Sequence, residues 1–415
     1  MRIKVFPSPL SGSIKAIPSK SDAHRLFICA ALSDKETVIH LPSSSVDIDT
    51  TLDCLEKMGA RIKKEGEYVT VTPSPFIEEC VLNANESGST LRFIVPVASA
   101  VCGKVTFEGS GRLPDRPITD LTNTLKENGV TFSAEKLPFT KTGRLHSGTF
   151  TLPGNVSSQY ITGLLFALPL LEGDSEIILT TKLESSAYVD ITLGALKKFG
   201  IEIKATERGY FVKGNQKYIS PDRLSVDGDW SNAAFFLVSG AIKNGVSMTG
   251  LDRSSFQGDK RILNVLEKFG AQITKKDEIS VAESKLFSNT VDISEIPDML
   301  PALAVLASFA KGTTKFTGGA RLRIKESDRL HSVTQLINSL GGKAEELDEG
   351  IKVEGVGLLG GEVDGFNDHR IVMAAAIGGS LSKKEVIING AEAVNKSYPA
   401  FFKDFESLGG KYNVI

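Results

Sequence analysis

Side chains able to bind a small anion or to move a proton are concentrated in short polar segments, each preceding a strongly apolar stretch. These segments are residues 19–25, 86–92, 157–159, 229–232, 296–298 and 367–370. Serine, aspartate and asparagine are the ordinary N-caps of helices, so each segment taken alone predicts a helix start. A helix start also presents unpaired N–H groups and the positive end of the helix dipole, so together the segments indicate an anion site.

Basic side chains lie at or near the same segments and add positive charge. They are Lys20, Arg25, Arg92, Arg116 and Arg370, with further cations in the segment 321–329 and at Lys396. An arginine-rich segment is ordinarily a solvated surface, but arginine is suited to two-pronged binding of carboxylate or phosphate. We therefore expect one or two small ligands that carry several negative charges.

Two carboxylates among these cations, Asp298 and Glu326, are candidates for proton transfer. The alternative roles are a helix cap for Asp298 and an ion-pair partner for Glu326. Neighbouring cations lower a carboxyl pKa and desolvation raises it, and the sequence leaves the balance open. His24 and His369 are alternatives for which we favour a structural role. No metal-ligand spacing and no nucleotide-binding fingerprint occur, so we expect neither metal nor cofactor.

The elements that position these residues recur six times. The phrase apolar-x-x-apolar-Gly ends at Gly59, Gly129, Gly200, Gly270, Gly341 and Gly409, at intervals of about seventy residues. Each glycine predicts the end of an amphipathic helix. An earlier helix, apolar on nearly every side and therefore buried, is predicted at 21–32, 89–102, 157–170, 232–242, 298–309 and 368–377. Short alternating runs predict strands, so each repeat reads β-α-β-α-β-β.

The last repeat stops one strand early, whereas the run 2–6 alternates like a strand and has no helix before it. We expect this run to complete the sixth repeat. The prediction is an α/β fold of α+β type with two lobes of three repeats each, residues 18–226 and residues 1–17 plus 227–415. The site is expected in a cleft between the lobes.

Composition sets limits on the class of protein. The 415 residues are 41% hydrophobic, the net charge is −2 and no long basic run occurs, so a nucleic-acid partner is not expected. No apolar stretch has the length of a bilayer crossing, and the first residues lack the apolar core of a signal peptide. Four cysteines form no C-x-x-C pair, which argues against disulfides and zinc. We expect a cytoplasmic monomer with no membrane partner.

The motifs, in order along the whole chain, resemble those of the 5-enolpyruvylshikimate-3-phosphate (EPSP) synthase family. The most telling are Lys-Glu-Ser-Asp-Arg at 325–329 and Asn-Asp-His-Arg at 367–370. The resemblance implies a two-domain inside-out α/β barrel. It also implies transfer of the enolpyruvyl group of phosphoenolpyruvate to the 5-hydroxyl of shikimate 3-phosphate, with release of phosphate. The reaction, an addition followed by an elimination, belongs to the shikimate pathway that supplies chorismate and the aromatic amino acids.

The resemblance also implies roles for matching positions. Shikimate 3-phosphate would be held by Lys20, Ser21, Arg25, Ser157, Ser158, Gln159, Ser185, Asp298 and Lys325. Phosphoenolpyruvate would be held by Lys20, Gly88, Arg116, Gln159, Arg329, Arg370 and Lys396. Asp298 would handle the proton of the 5-hydroxyl. Glu326, with Lys20, would handle protons at the enol carbon or the departing phosphate.

The chain departs from the family pattern at several positions. Pro18 stands where glycine is usual, Glu86 and Arg321 where asparagine is usual, and Phe93 where proline is common. Gly88 agrees with the pattern, in which a glycine leaves room for glyphosate beside the phosphoenolpyruvate subsite. The resemblance therefore implies an enzyme that glyphosate inhibits.

Two other functions compete with this interpretation. Enolpyruvyl transferases acting on UDP-N-acetylglucosamine share the architecture but usually carry a reactive cysteine in the loop corresponding to 109–116, which here has none. A non-catalytic repeat protein that binds anions is the second alternative. The occurrence of Asp298 and Glu326 among so many cations argues against it.

Overall fold

The structure, a computed structural model that describes residues 1–415, consists of short strands alternating with helices. The strands are β1 Arg2–Phe6, β2 Gly12–Lys15, β3 Thr37–His40, β4 Arg61–Glu65, β5 Tyr68–Thr72, β6 Glu79–Asn83, β7 Lys104–Glu108, β8 Thr131–Phe132, β9 Phe139–Thr142, β10 Thr149–Leu152, β11 Ser175–Leu179, β12 Ile203–Thr206, β13 Gly209–Val212, β14 Arg223–Ser225, β15 Val246–Thr249, β16 Gln272–Lys275, β17 Ile279–Ala282, β18 Thr290–Asp292, β19 Thr313–Thr317, β20 Lys343–Leu347, β21 Gly350–Glu354, β22 Gly361–Asp364, β23 Val386–Asn389 and β24 Lys411–Val414. The helices are α1 Lys20–Ala31, α2 Val46–Lys57, α3 Gly88–Val101, α4 Thr119–Lys126, α5 Ser158–Ala167, α6 Ser186–Lys198, α7 Trp230–Ile242, α8 Ile262–Lys268, α9 Leu300–Phe309, α10 Arg329–Ser339, α11 His369–Leu381 and α12 Phe401–Ser407.

The strands form six four-stranded sheets that share one strand order. In the sheet β6-β7-β9-β8, the first two strands are parallel, and the last two form an antiparallel hairpin whose inner strand pairs with β7. A helical crossover gives a parallel neighbour and a short turn gives an antiparallel one, so this order follows from a β-α-β-α-β-β unit. The other five sheets repeat the order, and the predicted sixfold repeat is confirmed.

Three sheets take one strand from a distant part of the chain. Strand β1 lies between β23 and β24, with Val5 opposite Val386 on one side and Tyr412 on the other, so the prediction that residues 2–6 complete the sixth repeat is confirmed. Strand β14 supplies the first strand of the sheet that contains β3, and β2 supplies the first strand of the sheet that contains β15. The sequence analysis did not identify these two additions.

The chain divides into two compact units, each with its own hydrophobic core. One comprises Met1–Ser19 and Asp227–Ile415, and the other comprises Lys20–Val226. We refer to them as the split unit and the continuous unit. The N–H of Ser19 donates to the carbonyl of Asp227 at 2.7 Å, which ties residues before α1 to the split unit.

The apolar helices lie in the two cores, α1, α3 and α5 in the continuous unit and α7, α9 and α11 in the split unit. Their boundaries lie within four residues of those predicted. At two prolines, part of the predicted α-helix is a 3-10 turn instead. Pro169 lies in a 3-10 turn that follows α5, and Pro297 opens a 3-10 turn that precedes α9. Proline lacks an N–H and is therefore tolerated at such helix ends. No helix combines the length and hydrophobicity that a bilayer crossing requires.

Helices α3 and α5 pack closely, and a glycine permits the contact. A Cβ on Gly163 of α5 would lie less than 3.0 Å from the carbonyl oxygen of Arg92 in α3. Any larger residue would force the helices apart, because the obstruction is backbone. The contact fixes the relative positions of the two helix starts, where Gly88 and Gln159 lie.

Candidate active site

In the split unit, five predicted site residues meet at the starts of three helices. Asp298 lies in the 3-10 turn before α9, and Lys325 and Glu326 lie in the turn before α10. Arg329 is the first residue of α10, and Arg370 lies in the first turn of α11. We call these residues, together with Asp368, the acid–base cluster. The side chains of Asp328 and Asp368 cap α10 and α11 by accepting from the N–H groups of His331 and Arg370.

Arg329 joins three carboxylates while only 1% of its side chain is exposed. Its Nη1 donates to Asp298 Oδ1 at 2.7 Å, its Nη2 to Glu326 Oε2 at 2.7 Å, and its Nε to Asp368 Oδ2 at 2.8 Å. Burial is the largest single influence and lowers the pKa of the guanidinium, but Asp368, Glu326 and Asp298 together raise that pKa above its ordinary value. Arg329 is therefore a permanent cation, and the interpretation of segment 321–329 as a solvated surface is wrong for this residue.

Asp298 accepts from further cations and does not cap its helix. Arg370 Nη2 lies 3.2 Å from its Oδ2, and Lys325 Nζ lies 3.5 Å from its Oδ1. Burial lowers the pKa of Lys325, while the charge of Asp298 raises it. Asp298, with 15% of its side chain exposed, can therefore face a substrate hydroxyl while being held by cations.

Lys396 lies at the edge of the same region and orders the turn before α11. Its Nζ donates to the carbonyl of Asn367 at 2.6 Å. Phe366 and Asn367 adopt positive φ angles of 50° and 51°, which are unusual for residues other than glycine. The contact brings a lysine to the helix start that carries Asp368 and Arg370.

In the continuous unit, the helix starts carry hydroxyl, amide and basic groups. Lys20 is the first residue of α1, and its Nζ donates to Asp47 Oδ2 of α2 at 2.7 Å. The two side chains are 14% and 12% exposed, so the ammonium is oriented but remains within reach of a ligand. Ser21 follows Lys20, and its carbonyl accepts from Arg25.

Arg25 is buried among neutral acceptors. It donates to the carbonyls of Ser21 and Tyr188 and, at 2.8 Å, to Thr192 Oγ1. Burial lowers the pKa of this guanidinium to about 10, with Asp22 acting in the opposite direction. Ser185 precedes α6 with a positive φ of 53°, and α6 carries Tyr188 and Thr192. Arg25 therefore holds α1 against the first half of α6, the helix that Ser185 precedes.

Gly88, Arg116 and Gln159 form a third group at the starts of α3 and α5. A Cβ on Gly88 would lie less than 3.0 Å from Nη1 of both Arg92 and Arg116. Arg92 Nη1 donates to Gln159 Oε1 at 3.1 Å, and Gln159 Nε2 donates to Ser89 Oγ at 2.9 Å. The hydroxyl of Ser157 caps α5 at the N–H of Gln159, and Ser158 begins that helix.

The structure also identifies partners that the sequence analysis left out of both substrate-binding sets. Asp47 orients Lys20, Asp368 is fully buried against Arg329, and Arg92 orients Gln159. Arg92 and Asp368 belong to motifs that the sequence analysis singled out, whereas no local signal marks Asp47. His24 is buried, with its Nδ1 2.6 Å from Thr51 Oγ1, and burial lowers its pKa, which agrees with a structural role.

Comparison with known proteins gives consistent results. The family model for EPSP synthase (3-phosphoshikimate 1-carboxyvinyltransferase) matches residues 6–405. A 3-phosphoshikimate 1-carboxyvinyltransferase of Clostridium perfringens is 43% identical, with 99% of this chain and 98% of that protein covered. One of Clostridium acetobutylicum is 44% identical, with 98% and 97% covered.

Solved structures agree at the level of the fold. EPSP synthase from Acinetobacter baumannii superposes with a TM-score of 0.84 at 23% identity, and each chain is covered completely. The enolpyruvyl transferase NikO from Streptomyces tendae gives a TM-score of 0.80 at 16% identity, with 99% of this chain and 98% of that chain covered. The family match over nearly the whole length and the identity to its curated members lead to one conclusion: the chain belongs to the EPSP synthase (3-phosphoshikimate 1-carboxyvinyltransferase) family.

Proposed function

We propose that the protein transfers the enolpyruvyl group of phosphoenolpyruvate to the 5-hydroxyl of shikimate 3-phosphate and releases inorganic phosphate. The observation that carries this proposal is the acid–base cluster, in which Arg329 holds Asp298 and Glu326 at 2.7 Å each. One fixed cation thus orients two carboxylates, and two separate proton transfers are what an addition followed by an elimination requires.

In the addition, the oxygen of the 5-hydroxyl bonds to the central carbon of phosphoenolpyruvate while the methylene carbon gains a proton. Asp298 receives the hydroxyl proton, and Glu326, with Lys20, handles the proton at the methylene carbon. In the elimination, that methyl carbon returns a proton as the bond to phosphate oxygen breaks. The departing phosphate carries the electron pair, and positive charge nearby stabilises it.

The residues proposed to hold each substrate are those that the family pattern implies. For shikimate 3-phosphate these are Lys20, Ser21, Arg25, Ser157, Ser158, Gln159, Ser185, Asp298 and Lys325. For phosphoenolpyruvate they are Lys20, Gly88, Arg116, Gln159, Arg329, Arg370 and Lys396. Each substrate carries a phosphate and a carboxylate, which agrees with the number of arginines and lysines at the helix starts.

A phosphate-release assay tests the proposal. Phosphoenolpyruvate is supplied with shikimate 3-phosphate, with UDP-N-acetylglucosamine, or with no acceptor. We expect phosphate only with shikimate 3-phosphate, together with an equal amount of enolpyruvyl product detected by mass spectrometry. Release with UDP-N-acetylglucosamine alone would support the sister reaction. Binding of both substrates without release would support an anion-binding protein.

We further propose that the protein is a cytoplasmic monomer that glyphosate inhibits. The net charge of −2 and the mixed surface support a protein without a nucleic-acid or membrane partner. Gly88 supports inhibition, because the absence of a side chain lets the guanidiniums of Arg92 and Arg116 lie where a Cβ would otherwise be. Sedimentation velocity gives the oligomeric state. Turnover that is unchanged at glyphosate concentrations well above those that block glycine-type enzymes would contradict the inhibition.

A further inference from the structure

Two residues of the acid–base cluster, Lys325 and Glu326, lie in the irregular segment between a 3-10 turn and α10. Residues 320–328 comprise a 3-10 turn, Ala320–Ile324, and the four residues before α10. No helical or sheet hydrogen-bond ladder fixes Lys325 and Glu326, so side chains must do so. One anchor lies on the side of α11, where Ser327 Oγ donates to Asp368 Oδ2 at 3.0 Å.

A second anchor is formed by Arg323, whose guanidinium clamps the turn to the hairpin β20–β21. Its Nη1 donates to Glu346 Oε1 at 2.7 Å, and its Nη2 donates to the carbonyl of Leu347 at 2.9 Å. The Nε and Nη2 atoms both donate to the carbonyl of Asp348, at 3.2 and 3.1 Å. One third of the Arg323 side chain is exposed. These bonds fix the start of the turn to a sheet.

The same guanidinium also fixes the end of the turn. Arg323 Nη1 lies 3.1 Å from Asp328 Oδ2, while Asp328 Oδ1 accepts from the N–H of His331 and caps α10. Arg323 therefore connects the sheet, the turn and the helix that begins at Arg329. Lys325 and Glu326 lie between these two fixed points.

We propose that Arg323 is a positioning residue that sets the location of Lys325 and Glu326 for the proposed reaction, on which this inference rests. The acceptors of its guanidinium are Asp328, Glu346, Leu347 and Asp348, so it acts through the backbone of the turn and not on substrate. Lysine is a poor substitute, because a single ammonium does not reproduce a fork that serves three elements at once. Misplacement by about 1 Å is enough to lower a rate by about 10²-fold.

The kinetic test compares R323A and R323K with R144A. Arg144 is a matched control, since it is a half-exposed surface arginine paired with Glu78 and remote in sequence from the turn. For R323A we expect a kcat about 10- to 100-fold lower and a raised KM for shikimate 3-phosphate, with the KM for phosphoenolpyruvate within about twofold. Guanidinium ion at non-denaturing concentration should restore part of the kcat of R323A. R323K should be intermediate, and R144A should match the wild type.

Each of the remaining outcomes supports or overturns the positioning role of Arg323. A lower Tm with unchanged kinetic constants in the folded fraction of R323A would overturn the inference, because the role would be structural only. If R323A does not fold, R323K and E346Q serve instead, and wild-type constants in both would overturn it. Hydrogen exchange gives a readout without activity: faster exchange confined to 320–331 in R323A supports the inference, and unchanged exchange there overturns it. An inactive wild type refutes the proposed function and leaves this exchange result interpretable.

Discussion

Two buried arginines, one in each unit, are held in opposite ways. Arg25 in the continuous unit donates to two backbone carbonyls and a hydroxyl, and burial lowers its pKa to about 10. Arg329 in the split unit donates to three carboxylates, which overcome burial and raise its pKa. Because its acceptors are neutral, we expect most of the charge of Arg25 to act on an anionic ligand, which is the role proposed for it. Arg329 instead holds Asp298 and Glu326, the two carboxylates proposed for proton transfer.

The same contrast extends to the surroundings of each arginine. In the continuous unit, Arg92 also donates to carbonyls and to the amide of Gln159. In the split unit, Arg370 and Lys325 both approach Asp298. We therefore propose a division between the units: the carboxylates that transfer protons lie in the split unit, and the arginines of the continuous unit serve only to bind anions. Five variants, D298N first because its effect should be greatest, test this division.

Replacing Asp298 with asparagine removes the proposed base while keeping its shape. We expect D298N to lower kcat by about 10²–10⁴, the usual contribution of general acid–base catalysis. Stopped-flow or steady-state phosphate release measures the loss. D277N, in an exposed turn of the same unit, is the matched control. A D298N enzyme with wild-type kcat would contradict the proton-transfer role proposed for Asp298.

Replacing Arg329 with methionine leaves three carboxylates without their common cation. Breaking a buried ion pair by removing one partner costs about 3–5 kcal/mol, so we expect the free energy of unfolding of R329M to fall by about that amount. Urea denaturation measures the change. A loss below about 1 kcal/mol would mean that the cluster tolerates separated charges, and that the contrast with Arg25 is not energetic.

R25M removes the buried arginine whose acceptors are neutral. Its expected effect is mainly on binding, with a KM for shikimate 3-phosphate about 10- to 100-fold higher, because a charge-assisted contact is lost. The free energy of unfolding should change much less than in R329M, since the partners of Arg25 are neutral. Steady-state kinetics and urea denaturation of R25M and R329M, measured under the same conditions, test both expectations. Equal destabilisation of the two variants would contradict the division.

Adding a methyl group at Gly88 should perturb the guanidiniums of Arg92 and Arg116, which a Cβ would crowd. These are the ends of flexible side chains, so we expect G88A to fold. The KM for phosphoenolpyruvate should rise severalfold, and the inhibitory concentration of glyphosate should rise by about tenfold or more, in line with overpacking costs of about 1–3 kcal/mol. An unchanged response to glyphosate would contradict the proposed inhibition.

Lys141 is a buried cation whose hydrogen-bond acceptors are neutral carbonyls, so the pH dependence of stability tests how such a cation behaves. Its buried ammonium donates to the carbonyls of Cys102, Gly103 and Gly143, and burial lowers its pKa to about 8. Between about pH 8 and the ordinary lysine pKa of about 10.4, the unfolded chain holds a proton that the folded chain has lost, so stability should rise with pH. We expect K141M to lose this part of the slope. Identical slopes in thermal melts of both proteins would contradict it.

Most of the local structure was predictable because it depends on neighbouring residues. Glycines such as Gly129 and Gly270 have positive φ at the ends of amphipathic helices, and caps such as Asp229 and Asp368 precede apolar runs. The position of Arg323 was also visible, but its contact with Glu346 was not. The partners are 23 residues apart and meet only when a turn packs on a hairpin.

The six repeats, the helix starts and the residue types available for anion binding and proton transfer could all be predicted from the sequence, because spacing and capping are local properties. The addition of β2 and β14 to distant sheets, and the pairs that the charged side chains form, became evident only in the folded chain. Strand β14 pairs with β3 from nearly the opposite end of its unit, and Arg329 reaches Asp298 across 31 positions. Burial and charge pairing depend on these tertiary contacts, so the opposite pKa shifts of Arg25 and Arg329 arise only in the folded chain.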